Sequence, residues 1–239
     1  MEKVLEVVEI KKAFGGNKVL EGVSFSADAG KVIGIIGPNG SGKTTLINII
    51  SGILKQDSGK IFFMGRDISG EKAYVRARSG IGRTFQIPRS FPSLTVLESL
   101  QLVRMHSGKD VSVEHVLKKV GLYELRDRYS DKLSLAQRKR LELARTLMLK
   151  PKLLLLDELF AGMNPASIRE IYEVIRSLKE EGICIIMVEH VLSALIPLAD
   201  ELIVLANGRL IYRGDKYRAF EDENVRRAYL GEKHPSFGM

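Results

Sequence analysis

The sequence predicts an α/β fold in which a mostly parallel β-sheet is covered by helices, and three observations predict it. Runs such as Leu153 to Leu156 and Ile183 to Val188 are apolar throughout, as strands buried on both faces must be. A glycine-rich octet, Gly37-Pro38-Asn39-Gly40-Ser41-Gly42-Lys43-Thr44, joins a strand-like run (Lys31 to Ile36) to a helix-like run (Thr44 to Ile50). Between Gln86 and Lys150 strand signals give way to helical periodicity, which predicts a helical insertion.

Taken in order, strands are predicted at Val4 to Ile10, Val19 to Ser26, Lys31 to Ile36, Gly59 to Met64 and Gly80 to Thr84, then at Lys152 to Asp157, Ile183 to Glu189, Glu201 to Ala206 and Arg209 to Arg213. Within the insertion, Thr95 and Glu98 have capping-box spacing ahead of a helix from Val96 to Met105. A second helix covers about Val113 to Val120, and a third runs from Gln137 to Leu149 and stops before Pro151. After the insertion, Asn164 caps a helix from Pro165 to about Glu181, where Ile168, Ile171, Tyr172, Ile175 and Leu178 fall on one face. No internal repeat or heptad series interrupts the pattern, and Lys233 to Met239 reads as a loose tail.

The chain has 239 residues, 45% hydrophobic and 28% charged, enough apolar material for a large core. Its apolar runs fall far short of the ~20 residues that cross a bilayer, and Met-Glu-Lys-Val-Leu-Glu at the start lacks the hydrophobic stretch of a signal peptide. A cytoplasmic chain is expected. A single cysteine, Cys184 within Ile183-Cys184-Ile185-Ile186, excludes an internal disulfide and a cysteine-cluster metal site, and is expected to be a buried, inert thiol. The net charge of +8 suits any acidic partner and chooses none. The densest basic cluster, Arg138-Lys139-Arg140, is expected on a solvated helical face, with Arg138 one turn from Glu142.

The octet carries chemistry. It fits the spacing of a phosphate-binding loop, in the strand-before, helix-after context that the loop requires. Gly37, Gly40 and Gly42 let successive N–H groups turn inward around an anion, and the helix that follows adds unpaired N–H groups and a positive dipole end. Lys43 is expected on the β- and γ-phosphates of a nucleotide, with the Thr44 hydroxyl on Mg²⁺. Downstream, Asp157-Glu158 follows four leucines, at the strand end where ligands collect in open α/β sheets. Asp157 is placed to hold Mg²⁺ through water and Glu158 to polarise an attacking water. Gln86 and His190 also follow strand-like runs. Either alone is a common polar strand ending, but four such termini point to one shared phosphate site.

These pieces, in this order, resemble the nucleotide-binding subunit of ATP-binding cassette transporters over nearly the whole chain. The resemblance adds Gln86 at the glutamine-loop position, Leu133-Ser134-Leu135-Ala136-Gln137 at the signature, Ala161-Gly162-Met163-Asn164 after the acids, and His190 at the switch position. It implies a P-loop NTPase core with an antiparallel β subdomain and an inserted helical subdomain: one cassette over 1–239, with 1–86 and 151–239 as ATP-binding core and 87–150 as the helical lobe. It also implies that Phe14 stacks on adenine, although alone Phe14 reads as core. Pro38, Asn39, Ser41 and Thr45 join the ATP contacts, Gln86 joins Thr44 and Asp157 at Mg²⁺, and His190 reaches the γ-phosphate. Ser134, Ala136 and Gln137 would complete the ATP site of a second cassette. Implied partners are permease subunits in the membrane, a second cassette, identical or different, and an external solute-binding protein, with the chain on the inner membrane face.

The signature departs from Leu-Ser-Gly-Gly-Gln, since Leu135 and Ala136 replace both glycines. A methyl group where backbone approaches the γ-phosphate implies a weaker completed site and favours a different cassette as partner. Turnover should therefore rise when Leu135 and Ala136 are both changed to Gly, and unchanged turnover would refute the idea. Leu159 replaces the usual Pro, and Asn164 the commoner Asp. Asn164, the run Ile81 to Gln86 and the ending Arg227-Ala228-Tyr229-Leu230-Gly231-Glu232 resemble branched-chain amino acid importers, while Phe160-Ala161-Gly162 and that same ending resemble the cassette of lipopolysaccharide export. A soluble cassette acting on DNA or ribosomes would typically carry two cassettes or a coiled-coil insertion, and a phosphate-loop kinase would leave the signature, Gln86 and His190 without a task. No nucleic-acid partner is expected. Permease docking is expected near Gln86 to Leu94, where Ile87, Pro88, Phe91, Pro92 and Leu94 gather.

Overall fold

The computed structural model describes residues 2–85 and 91–230. The expected strands are all present, within a few residues of their predicted bounds. β1 (Lys3–Phe14), β2 (Asn17–Asp28), β4 (Ser58–Phe63) and the short, unforeseen β5 (Arg66–Asp67) form an antiparallel sheet in the order β2-β1-β4-β5. The second sheet has the order β10-β9-β3-β8-β7-β6. Its members are β3 (Val32–Ile36), β6 (Ile81–Arg83), β7 (Leu153–Asp157), β8 (Cys184–Val188), β9 (Glu201–Ala206) and β10 (Arg209–Gly214). All its pairings are parallel except β10 on β9.

The two-residue alternation of strands explains why the central runs are apolar without a break. Leu153 and Leu155 of β7 belong to the core shared with the antiparallel sheet and α1 (Lys43–Ile50), whereas Leu154 and Leu156 face the core built with the helices on the other side. Every residue of β3, β7 and β8 is buried. Cys184 lies in β8 as expected, and burial pushes its thiol up to about 12.

Between β6 and β7 the described residues carry α3 (Val96–Ser107), α4 (Val113–Lys119) and α5 (Leu135–Leu147). Thr95 and Glu98 make the expected capping box, and Ser134 and Gln137 make another at the head of α5. α6 (Pro165–Glu180) begins on the Asn164 side chain, with Pro165 in its first turn. Three helices escaped the sequence reading: α2 (Ala73–Ser79), α7 (Leu192–Leu195) and α8 (Glu223–Leu230). α7 has only four residues, too few for periodicity to register. No helix of the described residues is long and apolar enough to cross a membrane.

Candidate active site

The sheet register brings the functional loops to one edge. Val188 pairs with Ile35 on one side and with Asp157 on the other, so β3, β8 and β7 end level, and the phosphate loop, His190 and Glu158 leave the sheet side by side.

The loop between β3 and α1 is shaped by glycines with no substitute. Gly37 has φ +152°, and a Cβ there would lie 2.0 Å from the Leu205 carbonyl oxygen of β9 and 2.9 Å from Ser41 Oγ. Gly42, the N-cap of α1, has φ +102°, and its Cβ would lie 2.7 Å from Leu20. The first turn of α1 has no acidic residue and no side-chain cap, so its N–H groups remain available to an anion. Ser41 is buried, and its Oγ has no hydrogen-bond partner among the described residues. An orphaned buried hydroxyl beside uncapped amides fits a polyphosphate. Lys43 Nζ spans the loop, donating to the carbonyls of Gly37 (2.8 Å) and Pro38 (3.0 Å). Burial lowers its pKa, opposed by the charges of Glu158 and Asp157. Thr44 and Asn39 are exposed, and Thr45 is half-buried.

Asp157, 4% exposed, receives Arg83 Nη2 at 3.3 Å. Burial raises its carboxyl, with Arg83 opposing. Arg83 Nη1 donates to Asn48 Oδ1 (2.6 Å) and Ser51 Oγ (2.9 Å), tying the acid to α1. Glu158 carries its side chain on a backbone with φ +50°. This left-handed geometry costs an L residue about 1–2 kcal/mol and persists only where its surroundings enforce it. Its N–H donates to the Val188 carbonyl (2.9 Å), and its Oε1 lies 3.1 Å from His190 Nε2. Glu158 and His190 therefore meet, as the four polar termini suggested. Gln86, the fourth of them, lies outside the described residues.

Phe14 is not core. It is 49% exposed at the end of β1, with Lys12 Nζ 5.4 Å from its ring centroid, so one face of a flat ring is left for a stacking partner. Ser134 and Gln137 bond each other in the capping box, Ala136 is half-buried, and Leu135, 44% exposed, touches the loop at Gly162.

One expectation is overturned. The Arg138-Lys139-Arg140 cluster does not form a solvated face, because Lys139 is 4% exposed and Arg138 donates to the carbonyls of Leu133 and Asp131 rather than to Glu142. Glu142 instead turns inward and accepts the Phe85 N–H at 2.6 Å, and burial pushes its carboxyl up to about 7. Charge spacing along one helix reports its own face and is silent on the loops packed against it. Arg83 also went unnoticed. Its signal was a lone cation inside a buried strand beside one that ends in an acid.

The ABC transporter family profile matches residues 20–161, more than half of the chain. This protein is an ABC transporter ATPase. The cassette is 36% identical to a probable branched-chain amino acid transport ATP-binding protein, LivG, of Archaeoglobus fulgidus, with 96% of each chain covered. It is 34% identical to the lipopolysaccharide export system ATP-binding protein LptB of Escherichia coli K12, covering 95% of this chain and 97% of that one. The crystal structure of the ADP conformation of MJ1267, an ATP-binding cassette of an ABC transporter, superposes with a TM-score of 0.88 at 35% identity, over 97% of this cassette and all of that one. As a member of the family, the ABC ATPase binds and hydrolyses ATP in step with transport, and such cassettes dimerise and work with membrane permease subunits.

Proposed function

We propose that this ATPase is the energy subunit of an importer of branched-chain or other amino acids, seated on the inner face of the cell membrane, with an external solute-binding protein in the complete system. The LivG-type relatives from two archaea, at 36% identity, support the amino acid reading. The LptB relatives support a second one, export of lipid or lipopolysaccharide, at nearly the same identity. Reconstitution separates the two: with cognate permeases and binding protein, ATP turnover should rise with an amino acid and ignore lipopolysaccharide and nucleic acid, and the reverse response would select the export reading.

The observation that carries the ATPase assignment to individual residues is the convergence of the phosphate loop, Asp157, Glu158 and His190 on one sheet edge. The amides of 37–45 and Lys43 would cradle the β- and γ-phosphates, and Phe14 would stack on adenine. Thr44, Asp157 and Gln86 would hold Mg²⁺, whose chemistry is to neutralise charge developing on the phosphate oxygens. With few protein donors around it, the site suits a metal held largely by phosphate and water. Glu158 would take a proton from the attacking water, and His190 would steady Glu158 and reach the γ-phosphate. Ser134, Ala136 and Gln137 would close the nucleotide of a second cassette with the positive end of α5. The chain forms one cassette, with 87–150 as the helical lobe that meets the permease.

An apolar groove of about 390 Å³ supports that docking. Tyr74, Phe91, Leu102, Val103 and Leu149 line it, with Arg78 and Lys109 among the lining residues. Phe91 is 45% exposed, and Arg145 lies over its ring at 5.3 Å. Ile87 and Pro88 of the expected docking stretch lie outside the described residues. Phe91→Asp should leave ATP affinity within about twofold while abolishing permease-stimulated turnover, since a charge buried in an apolar contact costs several kcal/mol. Lost ATP affinity would refute the assignment.

A further inference from the structure

We infer that Lys139 is a positioning residue for hydrolysis, which sets the backbone of Glu158 from the helix that meets the second nucleotide. The inference rests on the proposed role of Glu158 as the base. Lys139 projects from α5 into the turn that follows β7, and its ammonium donates to three carbonyls there: Glu158 at 2.7 Å, Leu159 at 2.9 Å and Ala161 at 2.9 Å. An ammonium has three protons, so its donor capacity is fully spent on one four-residue turn. One amide of that turn is held from the other side. Glu189, 2% exposed just after β8, accepts the Phe160 N–H at 3.0 Å. Burial works against both charges, and each is partly sustained by the other.

The turn needs such a clamp. Glu158 is one of five non-glycine residues with positive φ among the described residues, and the left-handed region is one that an L side chain leaves unless hydrogen bonds retain it. Val188 fixes its N–H and Lys139 its carbonyl. With both peptide groups anchored, the side chain starts from a fixed Cα, and from there its Oε1 comes to 3.1 Å from His190 Nε2. α5 begins only five residues before Lys139, at the Ser134 cap, so a shift of that helix against a second cassette is transmitted to Glu158 through one side chain. Methionine has a similar length and no donors. Lys139→Met should free the turn to leave the left-handed region, and a reacting group misplaced by about 1 Å costs on the order of 10²-fold.

The test is a double-mutant cycle with Glu158→Gln, read by ATP affinity and single-turnover hydrolysis. Lys139→Met should bind ATP within about twofold of the native chain and lose about 10²-fold in kcat, with KM little changed. In the Glu158→Gln background the same substitution should cost nothing further, because its effect runs through the missing carboxylate. An additive loss in that background, or a normal kcat for Lys139→Met beside a slow Glu158→Gln, overturns the role of Lys139. A normal rate for Glu158→Gln itself overturns instead the reading on which it rests. Should Lys139→Met fail to fold, Lys139→Gln keeps two donors and takes its place, with a smaller loss of kcat and the same absence of additivity expected.

Discussion

Glu158→Gln should hydrolyse ATP about 10²–10⁴-fold more slowly than the native chain, the span that a general base contributes, while binding ATP as tightly. The amide keeps the shape and volume of the carboxylate, which is 17% exposed and 3.1 Å from His190 Nε2, yet it cannot take a proton from water at neutral pH. Nothing in the phosphate loop or at Asp157 changes. The pair of cassettes that ATP closes should therefore accumulate, visible as an ATP-dependent dimer by light scattering or sedimentation. Turnover at the native rate would remove Glu158 from the role of base.

Gly37→Ala should be the most damaging single methyl in the chain, and Gly40→Ala is its control. Both positions have positive φ, but a Cβ at Gly40 meets nothing within 4 Å, whereas at Gly37 it would sit 2.0 Å from the Leu205 carbonyl oxygen. No side chain can yield there, because the obstacle is the backbone of the neighbouring strand. Gly40→Ala should cost about 1 kcal/mol of stability, the ordinary charge for a left-handed alanine. Gly37→Ala must part β3 from β9 or rebuild the loop, and should cost upwards of ~4 kcal/mol, in the range reserved for broken backbone geometry. Chemical denaturation and ATP binding of the two variants check this. Equal losses would mean that the close approach of loop and strand does not exist.

Much of this architecture can be read from residues. Strands apolar on both faces identify themselves, as in Leu153 to Leu156, and the caps at Thr95 and Asn164 fall where spacing put them. The phosphate loop and the acids after β7 are legible because each is local: a few consecutive residues fix the geometry. What escaped is contact between distant segments. Lys139 lies 19 residues from the nearest carbonyl it holds, and Glu142 lies 57 residues from the Phe85 amide. A charged residue in a helix reads as solvated until its inward neighbours are known. Arg83 reaches 74 residues to Asp157, and only the order of strands brings the two together.

Calorimetric titration of Mg²⁺-ATP into the purified chain tests the central claim, that uncapped amides at the mouth of a buried sheet hold the triphosphate of ATP. The account predicts saturable binding of one nucleotide per chain, displaced by ADP. A correctly folded chain that takes up no nucleotide would contradict it.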